Sequence, residues 1–281
     1  MRFVNARGRA GLLVDDQVFD LETASGGAMS SDPMTVIRTQ WDQALAVHAA
    51  GAFSGGLPAR DMHFGPPVPA PRQVYAVGLN YRAHAEETGA TPPEIPGIFT
   101  KYPSSITGPY DDVVLPSVGG QASPDWEAEL TFVLADGGRD VPEESALDHV
   151  LGYMVGQDIS ERHTQYAAMR QFSMGKSFET FCPIGPAIVT LDELDDPNDL
   201  ALECKVNGEV KQQGRTSDMI FGVPALVAYI STVCPLQAGD FCLTGTPSGV
   251  GFPQGEMLHP GDYIETEITG VGVLRNTCVA A

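Results

Sequence analysis

The sequence predicts a strand-rich α+β protein with a small N-terminal α+β domain followed by a larger domain. Beyond residue 73, short apolar runs rich in β-branched residues predict strands, whereas helical patterns are few and short. Between the two regions the chain carries several prolines: Pro58, Pro66, Pro67, Pro69 and Pro71. Because these prolines interrupt regular structure, we place the boundary at residue 68 and expect domains at 1–68 and 69–281.

The N-terminal domain is expected to hold short strands and one helix. The strands are predicted over residues 2–4, 10–14 and 18–21. Asp32 is a good N-cap, and Pro33 suits the first helical turn. Ile37 and Trp41 follow at helical spacing, so we predict one helix from Pro33 to the stop at Gly51.

The larger domain is predicted to be mostly sheet. Its strands are expected over residues 73–77, 112–115, 126–134, 151–155, 187–190, 201–206, 241–244 and 262–268. Short helices are expected over residues 82–88, 160–172 and 224–233. Asn207 and Gly208 stand between two strand-like runs and predict a two-residue hairpin, because a type I′ turn needs positive φ at both central positions.

The chain is strongly acidic. Its 36 acidic and 16 basic residues give a formal net charge of −20, which repels nucleic acid, anionic membranes and polyphosphates. We therefore expect neither nucleic acid nor a membrane as a partner. An anionic substrate would need a site built from a bound cation and a few of the scarce lysines and arginines.

The cysteines and the N-terminal segment give no sign of export. The five cysteines are odd in number and lack C-x-x-C spacing, so we interpret them as reduced core residues. The N-terminus has no apolar region followed by a cleavage site, and no apolar stretch approaches the roughly 18 residues of a membrane span. A cytoplasmic location is the resulting expectation.

Two glutamates share one face of a predicted strand. A period of two over residues 126–134 puts Glu127 and Glu129 on one face and apolar side chains on the other. A third acid, Asp158, follows the apolar run that begins at Leu151. A Glu-x-Glu pair alone is more often a solvated face. Three carboxylates without Cys or His, however, suit a hard cation such as Mg²⁺, Mn²⁺ or Ca²⁺.

Motif segments occur in order through nearly all of residues 70–281. They are Gly78–His84, Phe99–Lys101, the pair Glu127 and Glu129, Gln157–Arg162, Lys176–Phe181, Gly185–Pro186, Val206–Glu209 and Leu243–Gly251. Together they resemble the fumarylacetoacetate hydrolase superfamily, in particular its acylpyruvate and fumarylpyruvate hydrolase branch. So many motifs in order are more specific than any one of them.

The resemblance implies a mixed β-sandwich roll that binds a divalent metal ion. Glu127, Glu129 and Asp158 match the metal carboxylates of the family. Members commonly use Mg²⁺ or Mn²⁺, sometimes Ca²⁺, and are usually homodimers. We therefore expect one of these ions as the cofactor and a homodimer as the assembly.

The resemblance also implies catalytic residues. His84 and Glu87 match the lid dyad of the family, and their three-residue offset would put them on one face of a short helix. Lys176 matches the substrate lysine, although Glu179 replaces the usual aspartate of that motif. The alternatives are an exposed polar pair on a surface helix and an ordinary surface lysine.

Three further residues match positions that line the substrate cavity in the family: Arg162, Gln165 and Thr246. Thr246 would offer a hydroxyl and neighbouring backbone donors to a carboxylate, or it is simply a turn residue. Two residues depart from the family pattern, because Gln157 replaces a common Asn and Glu161 replaces a small residue. An extra carboxylate beside the cavity would disfavour a second negative group on the substrate.

These features predict a metal-dependent hydrolase that cleaves a carbon–carbon bond of a 2,4-dioxo acid, giving pyruvate or a substituted pyruvate and a carboxylic acid. His84, oriented by Glu87, would activate water, and Lys176 would stabilise the departing enolate. Decarboxylation of oxaloacetate or a related 2-oxo acid, and isomerase or lyase chemistry, use the same enolate and stay open. A metal-containing binding protein without catalysis is the remaining alternative.

Overall fold

The protein is built mainly from β-strands, and its helices are short, as the sequence predicts. The computed structural model describes residues 1–51, 53–118, 120, 122–135, 137–167 and 171–281. The strands are β1 Arg2–Ala6, β2 Arg9–Val14, β3 Gln17–Asp20, β4 Leu57–Pro58, β5 Phe64–Gly65, β6 Val74–Gly78, β7 Gly97–Lys101, β8 Ile106–Thr107, β9 Val113–Leu115, β10 Pro124–Asp125, β11 Ala128–Leu134, β12 Val150–Gln157, β13 Ser160–Glu161, β14 Cys182–Val189, β15 Ala201–Val206, β16 Glu209–Arg215, β17 Phe241–Leu243, β18 Tyr263–Ile268 and β19 Gly272–Ala280. The α-helices are α1 Leu21–Ala24, α2 Pro33–Thr39, α3 Trp41–Ala50, α4 Arg82–Glu87, α5 Arg162–Ala167, α6 Phe172–Gly175 and α7 Val223–Val233. Within the described ranges, none of these helices has the length and apolar character needed to cross a membrane.

The strands of the described residues form mixed sheets. The largest sheet has 12 strands, with the order β4-β3-β2-β1-β14-β12-β11-β17-β6-β7, and with β5 paired to β1 and β8 to β14. A sheet of five strands has the order β16-β15-β18-β19-β9, and β10 pairs with β13. Parallel pairs such as β6 with β17 and β9 with β19 stand among antiparallel ones. The predicted strand-rich mixed architecture is therefore confirmed.

The N-terminal strands belong to the same sheet as strands of the larger region. β1 pairs with β14 in antiparallel register, so the first strand of the chain extends the central sheet. One apolar core cluster also contains Phe3 and Ile37 together with Val133 and Phe241. The hydrophobic core thus continues across residue 68, and the domain boundary placed there stays a prediction.

The single helix predicted from Pro33 to Gly51 is wrong, because the structure has two helices, α2 and α3, that meet at Gln40. Gln40 has φ −134° and ψ 17°, which is not helical. Its side-chain oxygen accepts a hydrogen bond from the Ser30 N–H at 2.8 Å. After the break, the Trp41 ring packs on Phe3 with ring centroids 5.4 Å apart. Apolar periodicity continues across the break, so the pattern alone did not reveal it.

Other local predictions have definite outcomes. The hairpin is confirmed, because Asn207 and Gly208 connect β15 and β16 with φ of 54° and 81°. The helix predicted over residues 160–172 is confirmed only in part. Ser160 and Glu161 form strand β13 instead, Arg162–Ala167 form α5, and Gln171 has extended backbone before α6 begins at Phe172; residues 168–170 lie outside the described residues. Strands β7 and β19 were not predicted.

The centre of the large sheet positions the candidate site. β11 and β12 are antiparallel neighbours, with Ala128 opposite Gln157 and Glu129 opposite Gly156. Every residue of β11 is buried. Residues at the start of β11 and just after β12 therefore lie side by side inside the protein.

Gly152 in β12 is expected to be intolerant of any side chain. A Cβ atom there would lie 2.3 Å from the Val189 carbonyl oxygen, which belongs to the neighbouring strand β14. Because backbone cannot yield as a side chain can, Gly152→Ala should lower the free energy of unfolding by about 3 kcal/mol. Urea denaturation measures this change. Gly97→Ala is the matched strand control, since its Cβ would come no closer than 3.4 Å to other atoms, and it should change stability by less than about 0.5 kcal/mol. Equal losses in the two variants would contradict the packing described for β12.

Candidate active site

Three carboxylates meet where β11 begins and β12 ends. Glu127 precedes β11, Glu129 lies within it, and Asp158 directly follows β12. The Asp158 N–H donates to the Glu127 carbonyl at 2.9 Å, which extends the pairing of the two strands. One oxygen from each carboxylate lies within 4.8 Å of the others. Glu127 and Glu129 are only 6% and 1% exposed, so they do not form a solvated face.

Three buried cationic side chains surround these carboxylates. The Lys176 ammonium donates to Glu127 Oε2 at 2.8 Å and to Asp158 Oδ2 at 2.7 Å. The Lys101 ammonium donates to the other oxygen of Asp158. Arg162 Nη2 lies 2.7 Å from Glu127 Oε1. These ion pairs offset the cost of removing the charges from water.

A fourth buried carboxylate, Asp125, fixes the Arg162 guanidinium. Arg162 donates through Nε and Nη2 to Asp125 Oδ2 at 2.9 and 2.6 Å. Its Nη1 donates to Gln165 Oε1 at 3.0 Å. The other Asp125 oxygen accepts from the backbone N–H groups of Trp126 and Gly251. Asp125 thereby holds the Arg162 guanidinium beside Glu127, one of the three central carboxylates.

The pKa values of Glu129 and Glu127 are shifted in opposite directions. Burial, followed by the negative charges of Asp158 and Glu127, raises the pKa of Glu129 well above its usual value. Burial would also raise the pKa of Glu127. The positive charges of Lys176 and Arg162 outweigh that effect and hold the pKa of Glu127 well below its usual value. Among the described residues, no cationic side chain forms an ion pair with Glu129.

This carboxylate triad fits a divalent cation. Oxygen atoms within 4.8 Å of one another can be bridged by a cation with Mg²⁺-like or Ca²⁺-like ligand distances of about 2.0–2.6 Å. A divalent charge beside Glu129 would compensate its carboxylate, which the protein itself leaves without an ion pair. Oxygen ligands alone suit Mg²⁺, Mn²⁺ or Ca²⁺ rather than zinc.

A cavity of about 330 Å³ opens beside the triad. Six of the predicted site residues line this cavity: His84, Glu127, Arg162, Gln165, Lys176 and Thr246. Apolar side chains, among them Val77, Phe99 and Phe172, line it as well. Glu129 and Asp158 lie next to Glu127, so the structure brings the predicted metal residues and the predicted substrate residues together.

His84 and Glu87 lie on α4 and contact each other. His84 Nδ1 lies 3.1 Å from Glu87 Oε2. The second oxygen of Glu87 accepts from the Gly249 N–H at 2.9 Å. The two side chains are only 12% and 18% exposed, so they are not an exposed polar pair. A carboxylate at Nδ1 favours the tautomer protonated there, which leaves Nε2 as the basic nitrogen.

Thr246 lines the cavity, but its hydroxyl already has two protein partners. The hydroxyl donates to the Ala128 carbonyl at 2.9 Å and accepts from Gln212 Nε2 at 2.8 Å. Its proton is therefore not available to a substrate carboxylate. The binding role predicted for Thr246 stays a prediction that depends on backbone groups of its loop.

The two departures from the family pattern serve local structure. Glu161 accepts hydrogen bonds from the backbone N–H groups of Ser123, His163 and Thr164 and from the Thr164 hydroxyl. Burial would raise the pKa of Glu161, but these hydrogen bonds lower it. Because this carboxylate faces backbone donors and does not line the cavity, the idea that it disfavours a second negative group has no support. Gln157 accepts from the Glu127 N–H at 2.9 Å and so positions a predicted metal residue.

Sequence reasoning missed two buried charged residues of the site, Lys101 and Asp125. Lys101 belongs to a motif segment, yet a lysine is by default a surface residue. Asp125 stands two positions before Glu127 and carries no pattern of its own. Their partners, Asp158 and Arg162, are 57 and 37 positions away along the chain.

Mn²⁺ is expected to stabilise the wild-type protein and to stabilise Glu129→Gln much less, because the variant lacks one ligand. A free ion concentration 100 times the Kd corresponds to about 2.7 kcal/mol of stabilisation. Thermal unfolding with and without Mn²⁺ measures the difference. Glu203→Gln is the control, since Glu203 pairs with Lys205 at the surface. Equal Mn²⁺ effects on both variants would show that the triad does not bind the ion.

Mn²⁺ binding is expected to strengthen as the pH rises. Folding raises the pKa of Glu129 above its unfolded value of about 4.3. The contribution of this shift to the free energy of unfolding is therefore complete below about pH 4.3, and it is lost as the pH rises through the raised folded pKa. The ion needs the deprotonated form, so its affinity increases across this window. Calorimetric titrations at several pH values measure the Kd. A Kd that does not change with pH in the wild type would contradict the raised pKa.

Comparisons with known proteins agree with the geometry. The family described as "Fumarylacetoacetate (FAA) hydrolase C-terminal" matches residues 73–279. The human protein "Oxaloacetate tautomerase FAHD2A, mitochondrial" is 40% identical over 273 residues, which cover 92% of this chain and 86% of the relative.

Two solved structures have the same fold over their whole length. A Mycobacterium smegmatis protein considered to be an HpcE protein has a TM-score of 0.93 and 46% identity, with 100% of both chains covered. Maleylpyruvate hydrolase from Sphingobium sp. SYK-6, in complex with manganese (II) ion and pyruvate, has a TM-score of 0.84 and 30% identity, again with 100% of both chains covered. This chain belongs to the fumarylacetoacetate hydrolase family.

Proposed function

We propose that this protein is a divalent-metal-dependent enzyme that converts a small 2-oxo acid through its enolate, with keto–enol tautomerisation of oxaloacetate as the first candidate reaction. The observation that carries the proposal is the meeting of a buried carboxylate triad, the Lys176 ammonium and the His84–Glu87 dyad at one cavity. The name of the human relative supports the choice of tautomerisation. A binding protein would not need the dyad.

The metal ion would be held by Glu127, Glu129 and Asp158. When bound, it supplies a Lewis acid and a template for the carboxylate and the 2-oxo group of the substrate. We propose Mg²⁺ or Mn²⁺, and the manganese named with the Sphingobium hydrolase supports this choice. We also propose that the protein works as a homodimer, as the family resemblance implies.

The proposed substrate contacts are N–H groups of Gln165 and Arg162 that take no part in the hydrogen bond between these two side chains. Gln165 uses its side-chain oxygen to accept from Arg162, which leaves its amide N–H groups as donors. Arg162 Nη1 carries a second N–H beside the one bound to Gln165. Both residues line the cavity and therefore suit the carboxylate of a 2-oxo acid.

Lys176 acts as a charged donor and not as a base. Burial would lower the pKa of Lys176, but the negative charges of Asp158 and Glu127 outweigh burial and raise it. The ammonium is therefore retained in the folded state. A positive charge at this position stabilises negative charge that develops on the 2-oxo oxygen of the substrate.

His84 is the proposed general base. Its Nε2 takes a proton from C3 of the substrate, and the electron pair of that C–H bond forms the C2–C3 double bond of the enolate. Glu87 stabilises the resulting imidazolium through the contact at Nδ1. The His84 imidazolium then delivers this proton through water to the enolate oxygen, while the Lys176 ammonium stays charged and stabilises the enolate. The reverse sequence converts the enol to the ketone.

Hydrolysis of a 2,4-dioxo acid is the second candidate, and it was the first expectation from sequence. The similarity to a maleylpyruvate hydrolase over the whole chain favours it. The same His84 would then activate water, and the departing fragment would be the same type of enolate. Decarboxylation of oxaloacetate also generates this enolate and belongs in the same test.

A substrate panel is expected to separate these reactions. Oxaloacetate enol should convert to the ketone faster with the enzyme, as measured by the ultraviolet absorbance of the enol. Pyruvate release from oxaloacetate and from a set of acylpyruvates measures decarboxylation and hydrolysis. EDTA should abolish the enzyme-dependent rate, and Mg²⁺ or Mn²⁺ should restore it. Acylpyruvate turnover without any tautomerisation would favour the hydrolase, and a rate that is unchanged by EDTA would contradict metal dependence.

His84→Ala is expected to lower kcat by about 10²- to 10⁴-fold, because a positioned general base contributes that much. The Kd for Mn²⁺ should stay unchanged, since the triad is intact. His63→Ala is the control, because that side chain is 72% exposed and its imidazole lies 3.4 Å from the Asp111 carboxylate, away from the cavity lining. Full activity of His84→Ala would rule out the proposed base.

A further inference from the structure

Gly249 forms a hydrogen bond through each of its backbone polar groups. Its N–H donates to Glu87 Oε1 at 2.9 Å. Its carbonyl accepts from the indole Nε1 of Trp126 at 3.0 Å. Trp126 is a buried side chain, only 1% exposed, so this indole is firmly packed. One glycine therefore connects a core indole to the carboxylate of the dyad.

The backbone at Gly249 has no room for a side chain. Its φ is +99°, and a Cβ atom there would lie 1.9 Å from the Lys211 carbonyl oxygen in β16. The same loop is also held farther along, because Asp125 accepts from the backbone N–H groups of Gly251 and Phe252 at 2.7 and 3.1 Å. The loop thus presents the Gly249 N–H to Glu87 in a fixed position.

Trp126 and Asp125, which hydrogen-bond to this loop, belong to the chain segment that also carries Glu127 and Glu129. Trp126 directly precedes Glu127, and Asp125 precedes Trp126. Trp126 binds the loop through its indole, whereas Glu127 lines the cavity. The same backbone segment therefore carries Glu127 and Glu129 of the triad and, through Gly249, contacts the dyad.

We propose that Trp126 is a positioning residue for the dyad, acting through Gly249 on Glu87 and thereby on His84. This inference rests on the proposed role of His84 as the base. Without the indole N–H, the Gly249 carbonyl loses its partner. The N–H that holds Glu87 then loses its fixed position, and the Glu87 carboxylate no longer holds the imidazole in one orientation.

Trp126→Phe tests the proposal because it keeps an aromatic ring in the core and removes the N–H donor. We expect kcat to fall by about 10- to 100-fold, the usual effect of removing a group that orients a functional residue. The KM for oxaloacetate and the Kd for Mn²⁺ should stay unchanged, since Arg162, Gln165 and the triad are intact. Trp41→Phe, in α3, is the matched control and should keep full activity.

A double-mutant cycle tests whether Trp126 acts through Glu87. In a Glu87→Gln background, Trp126→Phe should cause little further loss of kcat, because the residue through which it acts is already altered. Independent effects that multiply would overturn the positioning role. So would a loss of kcat that is matched by an equal loss of Mn²⁺ affinity, because that result indicates general damage to the site.

A spectroscopic test does not depend on the folding of Trp126→Phe. The chain has only two tryptophans, so two indole N–H signals are expected in a ¹H–¹⁵N spectrum. Glu87→Gln should move the Trp126 indole signal and leave that of Trp41 in place. An unmoved Trp126 signal would overturn the proposal. Failure of every 2-oxo acid to react would contradict the proposed function instead, while this spectrum would still test the link from Glu87 to Trp126.

Discussion

The burial of four carboxylates in one place is the constraint on which the rest of the site depends. Asp125, Glu127, Glu129 and Asp158 are all buried, beside the cations Lys101, Arg162 and Lys176. An unpaired buried charge costs several kcal/mol, a large part of the roughly 5–15 kcal/mol that stabilises a whole protein. Glu129 is the carboxylate that the three cations leave without an ion pair. A proton or a bound cation would therefore compensate the Glu129 carboxylate.

The parts of the site that could be predicted from sequence are those encoded by local pattern or by ordered motifs. The period of two that places Glu127 and Glu129 on one face, and the position of Asp158 after an apolar run, are properties of short segments. Lys101 and Asp125 could not be found in this way, because their roles depend on partners far away along the chain. The presence of strands was predictable as well, because a strand pattern is also a property of a short segment. The register of β11 with β12, which brings the triad together, is a tertiary property.

The two candidate reactions are closely related in physical terms. Each needs a base near the carbon atoms next to the 2-oxo group, and each generates an enolate beside a retained positive charge. In the proposed mechanism His84 and Lys176 meet both needs, so the proposal defines the class of chemistry more firmly than the particular substrate. The two reactions differ in the proton that the base removes. It comes from C3 of the substrate in tautomerisation and from water in hydrolysis. Apolar side chains such as Phe99 and Phe172 line the rest of the cavity and limit which substituents fit.

The central claim is that the buried triad holds one divalent cation. Crystals soaked in Mn²⁺ and measured for anomalous scattering give the most direct test, because the ion is located independently of any assumed ligand. The account predicts a single strong peak in contact with carboxylate oxygens of Glu127, Glu129 and Asp158. A protein that shows no peak there at saturating Mn²⁺, or that binds the ion elsewhere while the triad keeps only its lysine and arginine partners, would contradict it.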